Sequence, residues 1–582
     1  MAVVNSNDPD RLRGRATRWR RLVLGAAGIA LLGGAGCVTT GPLDYVRNGF
    51  KVGPEYGRPP APVEQEWIQS KNTAVQNRHL QDWWVVFEDP ALTTLIDTSF
   101  GQNLNLRSVG TRVLQARAQQ AIAVGNVLPQ TQQAGVAFDR VGLSRNAANN
   151  VTALSPIFAT SGNPKVLATI PPSEFPTNWF SEWTTGLNMS WELDFWGRFR
   201  RQIESANANL DATVENYDDA LVTLFADVAT NYVAFRVAQQ RIRIARDNVR
   251  IQEGVLKLAE ERFRVGTATR LDVEQARTVL NQTISTIPAL QITLGQANDV
   301  LCVLLGVPPH DLEPELGPGP ELGSNPMPNT PNWVAAGIPA DLLRRRPDLR
   351  SAERQVAAQS AQIGVAEADL YPTIAINGTL GLEAQSLTKL FESSSFVGSI
   401  TPTLRWNILN YGRILNNVRL QGVRVQELIA AYQNRALVAA QEVETALRGF
   451  LRSQEQTDAL AESVKAAKAA TQIGIDQYRA GTIDFNRVFN LETAQVQQQD
   501  QLAIAQGNIA LNLIAVYRAL GGGWELREQK AAANCAGAAP RALAAPVMPA
   551  TANRPATPAD AYAELAPTSL TELTAKAGPG AR

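Results

Sequence analysis

RFRVGTATR at residues 262–270 and QYRAGTIDF at 477–485 decide the fold of this chain. Each sets an aromatic and an arginine before a smaller residue and Gly-Thr, and the glycines, Gly266 and Gly481, stand 215 positions apart. A turn written twice in similar surroundings points to duplication. The same offset separates Trp191 from Trp406, Gly197-Arg198 from Gly412-Arg413, and Gly306 from Gly521. Upstream, LRSVGTRVLQARAQQ (106–120) matches LRSAERQVAAQSAQI (349–363) at an offset of 243. The drop from 243 to 215 places a 28-residue insertion in the first half, between Pro129 and Trp191, in a stretch of loop-like composition.

Periodicity supplies the elements. From Arg200 to about Val265 there is no Pro, and apolar residues recur at three- and four-residue steps (Leu210, Val214, Tyr217, Leu221, Leu224, Val228). That spacing predicts a helix of about 65 residues and about 100 Å, with a twin over 413–480. Residues 90–128, 269–305, 347–370 and 485–520 read as helices about half as long, the second kinked at Pro288. Two half-length helices laid end to end match one long one, which implies coiled-coil packing.

Elsewhere the period is two. Residues 187–195 alternate apolar and polar without exception, and Phe396 to Ile408 do the same, with Ser399, Thr401, Thr403, Arg405 and Asn407 on the polar face. Residues 374–382 alternate, and 134–143 do so weakly. Two strands of about ten residues per half suit a transmembrane β-barrel, although an amphipathic sheet on a soluble core gives the same pattern. Four strands cannot close a barrel, and an open edge is excluded from lipid, so strands must come from several copies; three copies give twelve. The fold class is therefore mixed, mainly α.

Composition narrows function. The chain has 582 residues with 54 basic and 54 acidic side chains, which gives no sign of nucleic-acid binding. Two His and three scattered Cys argue against a metal site, a disulfide framework or His-centred catalysis, and no motif calls for a cofactor. An enzyme is the least favoured class. The N-terminus carries a basic leader, RLRGRATRWRR, and a 15-residue apolar run that suits a signal segment over residues 1–36. Small residues before Cys37 resemble a bacterial lipoprotein cleavage site, although Gly34 stands where Leu is usual; an ordinary cleaved signal is the alternative. The remaining divisions are an N-terminal segment over 37–88, a first repeat over 89–306, a Pro-rich connector over 307–346, a second repeat over 347–524 and an Ala/Pro-rich tail over 525–582, disordered by composition.

GIPADLLRRRPDLRSAER (337–354), KVGPEYGRPPAPV, WWVVFEDPALTTLI, WELDFWGR and RFRVGTATRLDVEQA together resemble the TolC-like outer-membrane efflux proteins, in the lipoprotein branch that includes the OprM and NodT types. The resemblance runs from about Lys51 to Trp524. It implies a homotrimer with a twelve-stranded β-barrel in the outer membrane of a Gram-negative cell and a twelve-helix α-barrel crossing the periplasm. It also implies lipidation at Cys37, an outer-membrane location, and passive conduction of toxic small molecules as the exit duct of a tripartite pump with an RND-type inner-membrane transporter. The paired turns become periplasmic tips. Val265, Gly266, Thr267, Ala480, Gly481 and Thr482 would dock a periplasmic adaptor protein.

The resemblance places a gate at the same tips. Tyr478 matches the gate tyrosine and Asp272 a common aspartate, whereas two usually acidic ring positions are Arg487 and Asn490 here. Asp484 or Glu492 are candidate substitutes for the missing acids, and Arg487 has Asp272 and Asp484 as candidate partners. Thr269 and Asp272 resemble a capping box. Glu192, Asp194, Arg405 and Asn407 are expected on polar strand faces, lining the barrel lumen. A duct for protein secretion and a lipid-tethered coiled-coil scaffold are the alternatives; the strands argue against the scaffold.

Overall fold

The computed structural model describes residues 40–68, 80–142, 179–317, 327–331, 334 and 339–530. Cys37 and most of the 28-residue insertion lie outside these residues. Short helical turns aside, the order is α1 (Pro42–Arg47), α2 (Pro90–Gln102), α3 (Leu104–Gly125), β1 (Thr131–Gly142), β2 (Trp179–Leu193), α4 (Arg198–Arg264), α5 (Arg270–Leu305), α6 (Pro347–Ala368), β3 (Thr373–Ala384), β4 (Phe396–Arg405), α7 (Arg413–Ala480) and α8 (Phe485–Ala519). These elements lie in one compact unit ending at Leu526, and most of the Ala/Pro-rich tail, from residue 531 on, lies outside the described residues.

Each long helix carries two half-length partners. α3 packs along the first part of α4, where Gln120 bonds Asn207 at 3.0 Å, and α5 packs along the rest. α6 and α8 divide α7 in the same way, through Gln359–Gln421 (2.7 Å) and Ser463–Gln498 (3.1 Å). The helix expected over 90–128 is broken at Asn103. Its backbone is extended, its carbonyl oxygen Oδ1 accepts the Leu106 amide at 2.7 Å, and its amide group donates to Leu304 O at 2.8 Å. An Asn that caps a helix restarts it rather than continuing it. α5 runs unbroken through Pro288.

The four strands form one antiparallel sheet in the order β1-β2-β3-β4, with β1 and β4 at open edges. Register places Ala134, Leu187, Leu380 and Gly398 in one row and Gln132, Met189, Gly378 and Ile400 in another, so one face is mainly apolar. Val136, Leu187, Leu380, Ile400 and Leu404 are exposed on it. The opposite face is cross-linked by polar side chains: Ser190–Asn377 at 2.8 Å and Thr379–Ser399 at 2.7 Å.

The largest core sits midway along the helices. The WWVVF turn inserts Trp83, Trp84 and Phe87; Trp83 stacks on Tyr517 (5.4 Å between centroids), and Trp84 meets Phe225 edge-on at 5.3 Å. Asp89 accepts the Tyr232 hydroxyl at 2.5 Å, and fully buried Arg236 donates to that hydroxyl and to the carbonyls of Leu316 and Gly317. The RRRPD signature becomes a clasp: Arg346 grips Asp348 with two 3.0 Å bonds and reaches Glu442 at 2.7 Å and Ala519 O at 2.9 Å.

The N-terminal segment is strapped to the helices below the sheet. Buried Arg201 donates to Val52 O and Gly53 O, both at 2.9 Å. Gly53 has φ +88°, and a Cβ there would lie 2.4 Å from the Gly364 Cα. Gly53→Ala is therefore expected to cost at least about 1–3 kcal/mol from backbone strain alone and to free the strap. Hydrogen exchange at residues 50–58 reads this directly; unchanged protection would refute it.

Candidate functional site

The two tips are built alike, which answers why the sequence says Gly-Thr twice. Gly266 has φ +77° and Gly481 φ +78°, a left-handed conformation that glycine adopts without a side-chain clash. The following threonine closes the helix end. Thr267 N and Oγ1 both donate to Arg262 O, at 2.9 and 3.1 Å; Thr482 N and Oγ1 both donate to Gln477 O, each at 3.0 Å. Val265, Gly266, Thr267, Ala480, Gly481 and Thr482 are all exposed.

The return helices start with side-chain caps. Thr269 and Asp272 form a full capping box ahead of α5, each accepting the other's backbone amide at 3.3 Å. Asp484 caps α8 by accepting the Arg487 amide at 3.1 Å. Arg487 and Asn490 are exposed, and among the described residues no ion pair joins the Arg487 guanidinium to Asp272 or to Asp484, which meets only its backbone amide.

Behind the turns lies a small apolar core of Val255, Ala259, Val273, Ala276, Ile475, Tyr478, Phe485 and Val488. Tyr478 is 2% exposed and meets Phe485 edge-on at 5.4 Å, while its hydroxyl has no hydrogen-bond partner. Burial, with Asp272 nearby, raises its pKa. Glu492, about two turns above, is 3% exposed, and burial pushes its carboxyl up to about 7. It is thus a core group and not a residue of an open ring.

Two expected lumen residues are placed differently. Asp194 lies past the end of β2, and its carboxylate accepts the Phe199 and Arg200 amides at 2.9 and 3.1 Å and pairs with Arg200 Nε at 2.9 Å. An acid that takes up the first free amides of a long helix is a cap. Asn407 lies past the end of β4, because the Trp406 indole donates to Leu370 O at 2.9 Å and turns the chain towards α7. Glu192, next to last in β2, lies beside Arg198 at 3.5 Å, and Arg405 ends β4 opposite Thr373. All four sit at the junction of sheet and helices.

Paired long-helix hairpins carried by an open four-stranded sheet define a class of membrane duct component. The chain belongs to the outer membrane efflux protein family, whose profile matches residues 95–307 and 338–522. It is 30% identical to the pyoverdine export outer membrane protein OpmQ of Pseudomonas putida KT2440, over 76% of this chain and 88% of that one. It is 28% identical to the cation efflux system protein CusC of Escherichia coli O6:H1, over 82% and 96%. The solved outer-membrane channel OprN superposes with a TM-score of 0.72 at 29% identity, covering 81% of this chain and 99% of that one. This is an outer-membrane protein of the mainly α, TolC-like fold.

Proposed function

We propose that the protein is the outer-membrane exit duct of a tripartite efflux pump, passively conducting small toxic compounds. The observation that carries this reading is an apolar-faced, open-edged sheet on helices that end in two matching exposed turns. Three copies would supply twelve strands and remove every open edge, as lipid requires. Each copy would then contribute two tips to a ring of six that docks a periplasmic adaptor through Val265–Thr267 and Ala480–Thr482. An RND-type inner-membrane transporter supplies the energy in this scheme. Cys37 lipidation would hold the N-terminal strap at the membrane, and Asp272, Tyr478, Asp484, Arg487 and Asn490 would surround the resting constriction.

Deleting the gene and restoring it on a plasmid tests the proposal. Intracellular dye and antibiotic accumulation is expected to rise on deletion and fall on restoration. Unchanged accumulation with specific proteins missing from the medium would overturn it in favour of secretion.

A further inference from the structure

The two tips of one chain are joined by a single side chain. Arg262, in the last turn of α4, lies with its guanidinium carbon 4.4 Å from the centre of the Tyr478 ring. Its Nη1 donates to Tyr478 O, in the last turn of α7, and its Nη2 donates to Thr267 O of its own turn at 3.3 Å. The Tyr478 carbonyl belongs to a helix C-terminus, where backbone dipoles concentrate negative charge, and the Thr267 carbonyl lies in the turn just beyond the end of α4. A planar cation that stacks on an aromatic face and forks between two carbonyls suits arginine and no other side chain.

The duplication makes the feature one-sided. The position equivalent to Arg262 in the second repeat is Gln477, so the first tip holds the second and receives no matching arm in return. The other polar groups nearby are otherwise engaged or silent. Asp272 is committed to its capping box with Thr269, and the Tyr478 hydroxyl is buried inside the chain without a partner. A hydroxyl so enclosed cannot reach a neighbouring copy.

We infer that Arg262 is a positioning residue of the resting gate, a latch that keeps the tip of the α7–α8 hairpin against that of α4–α5. Tyr478 serves this latch through its ring face and backbone carbonyl, not through its hydroxyl. The latch deepens the duct reading, since releasing it lets one hairpin swing away from the other.

The test uses full-length protein with Arg262→Gln, a residue that Gln477 shows to be compatible with the same turn. Spin labels at residues 268 and 483, in a background of unlabelled chains, report the distance between the tips of one chain. Wild type and Tyr478→Phe are expected to give one narrow distribution. Arg262→Gln is expected to give a broad, longer one, and Arg262→Lys, a point charge that reaches one carbonyl, an intermediate one. In planar bilayers, Arg262→Gln should raise the open fraction by roughly tenfold, the worth of one charge-assisted bond, with the heat-dissociation midpoint unchanged. A narrow distribution in Arg262→Gln, or a broad one in Tyr478→Phe, would overturn the latch. No conductance from any variant, with the distances as expected, would count against the duct and leave the latch standing.

Discussion

Arg346→Ala is expected to destabilise the folded protein by about 3 kcal/mol at neutral pH, the low end for breaking a buried ion pair because Glu442 is half exposed. The substitution strips Asp348 of two hydrogen bonds and Ala519 O of one. Asp219, in the same cavity, already sits above the usual carboxylate range, through burial first and the charge of Asp348 second, while Arg346 pulls it down. Without Arg346, its pKa rises further. A carboxyl raised in the folded state contributes stability that is present at low pH and lost as pH rises through its folded pKa. The deficit should therefore be larger at neutral and higher pH and shrink as the solution is taken down into the acid range and Asp219 takes up its proton. Heat-induced unfolding of the detergent-solubilised protein, followed by circular dichroism across that range, measures it. A pH-independent deficit would show that the guanidinium acts by packing alone.

Glu492 predicts the opposite experiment, a gain. Asn248 of α4 bonds Gln499 at 2.8 Å and Gln495 at 3.5 Å of antiparallel α8, which sets Gln252 level with Glu492. Gln252 is neutral, Thr471 of α7 bonds the adjacent Leu491 carbonyl, and Glu492 Oε1 has no partner. Burial alone raises the carboxyl from 4.5 to about 7. Stability is then full below about pH 4.5 and is lost as pH rises through about 7. A shift of this size corresponds to on the order of 3 kcal/mol. Glu492→Gln should abolish this slope and protect the tip at pH 8. Hydrogen exchange over residues 470–500 at pH 5.5 and 8 reads it; equal slopes in variant and wild type would refute it.

Much of this was legible in advance, for identifiable reasons. The limits of α7 were readable because Gly412 and Gly481 bracket a run without Pro, and Thr269 announced the start of α5. Asn103 was missed because one polar residue in an amphipathic pattern does not reveal that its side chain turns back on Leu106. Asp194 and Asn407 were misplaced because alternation persists past the last ladder bond, and only capping and the Trp406 indole end the strands. Arg262 had no sequence signal beyond its mismatch with Gln477, since its partner lies 216 residues away. Trp83 and Tyr517 likewise find each other only through the fold.

The unpaired edges β1 and β4 also have a genetic consequence. A lone chain cannot rest in lipid, so entry into the membrane waits on encounters between copies and falls more steeply than expression does. A variant that pairs its edges normally but fails at the tips would be incorporated beside wild-type chains and disable the assemblies it joins. Such alleles should be dominant, whereas alleles that disrupt β1 or β4 should be recessive.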